Sequence, residues 1–274
     1  MVVRWNEKLG KGDRRMEDRE KQKESVREQF TRNAEKYVTS TTHAKGDDLD
    51  LLVEWLDPKE DWTVLDIATG GGHVTKKLSP HVSQVIATDL TRGMLEAAKK
   101  HVEPTCSNVW FIVADAENLP FLDGSFNAVT CRIAAHHFPQ PHLFIQEAAR
   151  VLKPGGKMIL IDNVVPADDD IGHFVNTLEK LRDDSHGRCC STEEFTIWAT
   201  QAGLSLEKSR LRKKTFDFPT WVRRTAHSDE QVQIVERHIL GADQRLQEYC
   251  GMVLKDGAIV SIHIDEWMAM FVKK

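Results

Sequence analysis

Three aspartates and a pair of histidines are spaced along the middle of this chain so that they could serve one ligand. Residues 64–72 read Val-Leu-Asp-Ile-Ala-Thr-Gly-Gly-Gly: an apolar run holding Asp66, then a glycine loop. A glycine loop after a first strand ordinarily cradles phosphates, using backbone N–H groups and the positive end of the next helix. Asp66 works against that use. A carboxylate at the mouth of the loop repels a diphosphate and attracts a ligand carrying an ammonium and a sulfonium. Asp89 follows 23 residues later, placed to take two ribose hydroxyls on its two oxygens. Asp115-Ala116 offers an acceptor for an adenine amino group and a backbone N–H for the ring. Cys131-Arg132 and His136-His137 come next, beside the place where a reacting atom would sit. An aspartate after a strand is a common helix cap, so each feature alone is weak. Four in register point to one site.

Such a constellation needs strands that end together. Trp62–Ala68, Gln84–Thr88, Val109–Ala114, Phe126–Ile133 and Lys157–Asn163 read as strands, and their continuous apolar character suits a parallel sheet covered on both faces. Between them lie helices at His73–Leu78, from the cap Thr91 to Lys100, and at Pro141–Leu152. Upstream, Val26, Phe30, Ala34 and Tyr37 recur at helical spacing, and a second amphipathic stretch with Leu49, Leu52, Val53 and Leu56 stops at Asp57-Pro58. Downstream, a helix is expected over Ile171–Leu181. Ser191 with Glu194 forms a capping box for another that Gly203 ends. Leu204–Leu211 alternates as a half-exposed strand, Ser228–Cys250 reads as helices, and a last strand falls between Ile259 and Val272. Residues 1–24 are expected as a charged extension and 25–274 as a single domain with its ligand core at about 58–165. Insertions near 166–190 and 213–257 would cover the substrate side.

The 274 residues carry a net charge of −5, which gives no global field for nucleic acid, and no apolar run reaches the length of a membrane span. The charged N-terminus does not resemble a secretory signal, so the chain is read as cytoplasmic. Five cysteines (106, 131, 189, 190 and 250), an odd number with no C-x-x-C pair, argue against a disulfide framework or structural zinc, and no metal is expected. The vicinal Cys189 and Cys190 read as free thiols, with binding of a soft metal or metalloid as the lesser alternative.

Val64–Thr75, Ile86–Leu90, Phe111–Pro120 and Glu147–Ile161 together resemble the ordered motifs of class I S-adenosylmethionine-dependent methyltransferases. The branch is the one related to ubiquinone and menaquinone biosynthesis. Shared phrases include Ala-Arg-Val-Leu-Lys-Pro-Gly-Gly, Asp-Ala-Glu-Asn-Leu-Pro-Phe and Phe-x-x-x-Ala-x-x-Tyr at Phe30–Tyr37. The resemblance implies a doubly wound, mostly parallel α/β sheet of seven strands, the last inserted antiparallel, with helical insertions on the substrate side. It implies that Asp66, Ala68, Thr69, Gly70 and Gly72 hold the methionine part of S-adenosylmethionine, Asp89 and Leu90 the ribose, and Asp115 and Ala116 the adenine. Met94 would pack on the adenine, Tyr37 would cover the cofactor, and Cys131 and Arg132 would complete its site. The family often has glycine where this chain has Ala68, which removes backbone freedom there.

The expected reaction is in-line methyl transfer to a small molecule, in which alignment and exclusion of water are the protein's main tasks. His136 and His137 are the candidate bases. His43, His186, Arg188 and Trp221 are candidate substrate contacts. The blander readings are that one of the two neighbouring histidines is structural, that His186 is a surface residue of a mobile loop, that Trp221 and Trp267 belong to the core, and that Glu147 and Arg150 form a surface pair. A tRNA methyltransferase is the runner-up, disfavoured by the charge and by the lack of an Asn/Asp-Pro-Pro-aromatic motif. A dinucleotide oxidoreductase would need G-x-G-x-x-G, which the Gly-Gly-Gly-His loop is not. A non-catalytic S-adenosylmethionine-binding protein shares every binding residue. Arsenite methylation is a lesser alternative that rests on the vicinal cysteines. The oligomeric state is not encoded in any of these features.

Overall fold

The computed structural model describes residues 11–39 and 46–274, with side chains for 16–34 and 46–274. The apolar runs form β1 (Thr63–Ile67), β2 (Gln84–Asp89), β3 (Val109–Val113), β4 (Phe126–Arg132) and β5 (Leu152–Asn163). These pair in parallel in the order β3-β2-β1-β4-β5. β8 (Ala258–Lys273) is inserted antiparallel between β5 and β6 (Leu204–Asp217), as the resemblance implied. A short β7 (Val253–Lys255) pairs with the start of β8 through an Asp256-Gly257 turn whose two residues both have positive φ.

Alternation along the strands sorts their side chains onto two faces. Leu65, Ile67, Met158 and Leu160 pack with Phe144 and Ile145 of α5 (Pro141–Val151) and Phe195 of α7 (Thr192–Gln201). Val64, Val85, Ile159 and Ile161 pack with Leu52 and Leu56 of α2 (Asp47–Leu56) and Val74 and Leu78 of α3 (His73–Leu78). A third cluster lies apart from both. It joins Phe174 and Leu178 of α6 (Asp169–Arg182), Trp221 of α8 (Phe218–Arg223), Val235 of α9 (Asp229–Leu240) and Leu246 of α10 (Gln244–Tyr249) to Ile262 and Ile264 of β8. The two expected insertions thus share one apolar centre. Trp221 and Trp267 are core residues, as the blander reading had them.

Three boundaries differ from expectation. Charged residues 11–24 belong to the same helix as the apolar stripe after Ser25, α1 (Lys11–Thr39); Glu17, Asp18, Glu20, Lys21 and Glu24 are exposed on it, and Lys23 reaches an acidic pair in the body of the protein. β6 runs six residues beyond Leu211, its Lys and Arg side chains pairing with Asp47, Asp265 and Glu266. β5 begins at Leu152, opposite Phe126, and bulges through Pro154–Gly156 before regular pairing resumes at Lys157. The Ser191/Glu194 capping box is present, and Gly203 follows its helix at φ +82°. No helix among the described residues is long and apolar enough to cross a membrane.

Candidate active site

The strand order reverses between β1 and β4, and a cleft opens outside the carboxyl ends of these strands, where open α/β sheets bind ligands. Together with its open mouth it spans about 1010 Å³ beneath α1. Its lining includes the carboxylates Asp66, Asp89, Asp115 and Glu117 against the cations Lys23 and Arg132.

The loop after β1 turns by a left-handed backbone at Ala68 (φ +52°), Gly70 (φ +53°) and Gly72 (φ +81°). Ala68 therefore occupies a position whose conformation suits glycine, which is why glycine is common there in the resembling family. Asp66 is not at the mouth of this loop but under it. One carboxylate oxygen accepts from Thr69 (2.7 Å) and Thr75 (2.8 Å), the other from Thr130 (2.8 Å). Burial raises its pKa, and the three hydroxyls oppose that rise. Asp66 is thus the post to which the loop is tied.

Asp89 ends β2 and accepts from the Thr91 N–H (2.9 Å) and the Gly70 N–H (3.2 Å). Burial pushes it up to about 6. Thr91 stands at the N-cap of α4 (Arg92–Val102), but its side chain makes no capping bond. With the Gly70 N–H turned to Asp89 and the Gly72 N–H bonded to the Thr69 carbonyl, the loop does not present the row of donors that a diphosphate requires. Asp115 accepts from the Glu117 N–H (2.9 Å), while Lys23 of α1 bridges Asp115 (2.6 Å) and Glu117 (2.9 Å). Glu147 and Arg150 are more than a surface pair. They clamp the following loop through the Leu119 N–H (2.7 Å) and the Phe121 carbonyl (2.7 Å).

β4 delivers the other wall. Arg132 is buried and ion-paired with Asp48 of α2. Ile133 has φ +54°, a costly conformation for a β-branched residue and of a kind that clusters at functional sites. A single 3₁₀ turn then carries His136 and His137, both buried. His136 Nδ1 lies 2.5 Å from Asp162 at the end of β5, and the other Asp162 oxygen accepts the His136 N–H (3.1 Å). Burial alone would lower the His136 pKa; the Asp162 charge and hydrogen bond outweigh it and raise it. His137 Nδ1 is 2.9 Å from the Ser185 carbonyl. A carbonyl only accepts, so Nδ1 carries the proton and Nε2 keeps a lone pair. Burial and the charge of His136 lower His137 to about 4. The two ring centroids are 4.3 Å apart, and that of His186 is 5.7 Å from His136. This is a pair of like groups whose surroundings drive them toward opposite protonation states.

A second cavity of about 660 Å³ adjoins the cleft and shares Phe30, Ile133 and His137 with it. Its other walls come from α6, the loop after it, β6 and α8, including Glu179, His186, Lys214 and Trp221. His186 is buried there rather than on a mobile surface loop, because its Nε2 bonds to Asn176 (3.0 Å).

The structure gathers Asp66, Ala68, Thr69, Gly70, Asp89, Leu90, Asp115, Ala116, Arg132 and His137 around the cleft, and His136, His137, His186 and Trp221 around the second cavity. Met94 is fully buried behind Gly70 and does not line the cleft. Cys131 points into the sheet core, where burial pushes its thiol well above the ordinary range. Gly72 serves as the N-cap of α3, outside the lining. Arg188 is a half-exposed partner of Glu194. His43 and the side chain of Tyr37 lie outside the described residues. Sequence reasoning missed Lys23, Glu117 and Asp162. Asp162 had the same signal as the other aspartates, a carboxylate at a strand's carboxyl end. Cys189 and Cys190 are buried free thiols.

Residues 65–160 match a methyltransferase domain model. An uncharacterized methyltransferase, YcgJ, of Bacillus subtilis (strain 168) is 32% identical over 247 residues, 89% of this chain and 98% of that protein. The BH2331 protein of Bacillus halodurans C-125 superposes with a TM-score of 0.81 at 38% identity, covering 83% of this chain and 99% of that one. A demethylmenaquinone methyltransferase of Clavibacter sepedonicus is 36% identical over 38% of this chain and 42% of its own length.

Proposed function

The chain belongs to the class I S-adenosylmethionine-dependent methyltransferases, and on that premise we propose that it methylates a small molecule seated in the second cavity, with His137 taking the acceptor's proton. The observation that carries this reading is the position of His137. It lines both cavities, and its bond to Ser185 leaves Nε2 as a proton-accepting nitrogen.

The cleft suits the cofactor. Four carboxylates against two ion-paired cations favour a cationic ligand over a phosphorylated one. Asp89 would hold the ribose hydroxyls, Asp115 and Ala116 the adenine, and the loop from Ala68 to Gly71 the methionine part, with Asp66 fixing the loop's shape. When bound, S-adenosylmethionine supplies a methyl group already activated on a sulfonium. The chain's own residues do the rest. Phe30 and Ile133 exclude water between the two chambers, the second cavity holds the acceptor, and His137 Nε2 accepts the proton that the acceptor gives up. His136, held by Asp162, keeps its proton and orients its neighbour.

The test is a pair of measurements on wild type and His137→Gln. Titration calorimetry reads S-adenosylhomocysteine affinity. Transfer from methyl-labelled S-adenosylmethionine into a metabolite extract, resolved by mass spectrometry, reads turnover. We expect label in small molecules, and a roughly 10²–10³-fold loss in His137→Gln with cofactor affinity held. Label confined to RNA, or an unimpaired variant, would overturn the reading.

A further inference from the structure

Glu179, a residue of the second cavity's wall, carries an oxygen left unpaired among the described residues. Glu179 on α6 is 3% exposed, and one of its oxygens accepts from Arg182 at 2.6 and 3.1 Å. The other oxygen, Oε1, is buried and has no hydrogen-bond partner among the described residues. Buried polar atoms in folded proteins are paired almost without exception, so an orphan carboxylate oxygen on a cavity wall marks a place where something else brings a donor.

Two histidines of the same lining share its acceptor character. Asn176 spends its amide nitrogen on the Gly172 and Cys189 carbonyls, so the oxygen 3.0 Å from His186 Nε2 can only accept. His186 therefore donates from Nε2, which leaves Nδ1 as an acceptor. His137 Nε2 is an acceptor by the same logic. The lining is thus rich in acceptors. It also carries cations: Arg182, which bonds Glu179; Lys214, held by Glu266 (2.9 Å); and Arg224, the last two standing 5.7 and 6.0 Å from the Phe216 ring centroid. Phe30, Phe216 and Trp221 supply flat apolar wall.

We propose that the methyl acceptor is a flat, aromatic-type molecule bearing an amine or hydroxyl that Glu179 Oε1 receives and an anionic group that Lys214 and Arg224 receive. The inference rests on reading the second cavity as the acceptor site. It adds the chemical class of the occupant and names Glu179 and Lys214 as its specificity determinants.

The experiment titrates S-adenosylhomocysteine-loaded protein with 4-aminobenzoate, benzoate and aniline, which carry both groups, the anion alone and the donor alone. Wild type is expected to bind 4-aminobenzoate at least about tenfold more tightly than either single-function probe. Glu179→Gln keeps the shape and an oxygen for Arg182 but can turn a donor to the cavity. It is expected to erase the advantage over benzoate. Lys214→Met is expected to erase the advantage over aniline, and both variants should bind S-adenosylhomocysteine as wild type does, which also checks their folding. If 4-aminobenzoate binds no better than the others, or if Glu179→Gln leaves its affinity unchanged so that only a water meets Oε1, the proposal is overturned while the methyltransferase reading stands. Failure of wild type to bind S-adenosylhomocysteine would overturn both.

Discussion

Holding the ribose on Asp89, as proposed, would make cofactor binding depend on pH in a direction set by the burial of that carboxyl. The carboxyl is pushed up to about 6 by burial, against the two backbone N–H bonds that hold it. Only the ionised form offers both oxygens as acceptors to the two ribose hydroxyls. At pH 8 nearly all of the unliganded protein has a charged Asp89. At pH 5, one unit below the pKa, only about a tenth does, so the apparent Kd for S-adenosylhomocysteine rises about tenfold. Binding at pH 5 must also expel close to one proton. The sign for folding runs the other way. A pKa raised above the ordinary 3.8 means that the group's favourable contribution is full below about pH 4 and is lost as pH rises through about 6. The control is Asp89→Asn. Losing a charged hydrogen bond of about 1.5–3 kcal/mol should weaken S-adenosylhomocysteine by roughly 10- to 150-fold at pH 8 and flatten the profile below it. Titration calorimetry in two buffers of different ionisation enthalpy reads both the affinity and the proton count. An affinity that is level from pH 8 to pH 5 in wild type would refute the argument. So would a variant that declines with pH in parallel with it.

Two further expectations concern the frame of the site. Ser191→Ala removes the capping box of α7, which should cost about 1 kcal/mol and lower Tm by a few degrees in calorimetry; no shift would show the cap to be redundant. Phe144→Ala opens a hole in a fully buried position beneath the sheet and should cost about 3–5 kcal/mol in denaturant unfolding, where a loss below 1 kcal/mol would contradict the packing described.

The parallel strands were legible because burial on both faces leaves unbroken apolar runs, and the aspartates that end them were legible by position. Orientation was harder to read. Cys131 and Arg132 are adjacent on β4, and adjacent strand residues face opposite sides, so only one of them could reach the cleft. Asp66 has the expected sequence position, but the nearby Thr69 and Thr75 and the remote Thr130 converge on it and bury it. The second half of β6 was missed because its Lys and Arg residues look like a solvated run until Asp265 and Glu266 of β8 come alongside. The Asp256-Gly257 turn was a readable hairpin signal that was passed over. Glu179 shares a helix face with Val175 and Arg182, so its burial follows from spacing once that face is known to turn inward.

Phe30, Ile133 and His137 serve as a party wall, with one surface toward each chamber. A change of volume at Phe30 or Ile133 is private to neither cavity. If the second cavity takes the acceptor as proposed, trimming Ile133 to admit a bulkier one also enlarges the cleft and eases the crowding of a β-branched residue at positive φ. Any effort to retarget this enzyme through that partition must score both occupants at once, since a gain for one is entered on the other's account.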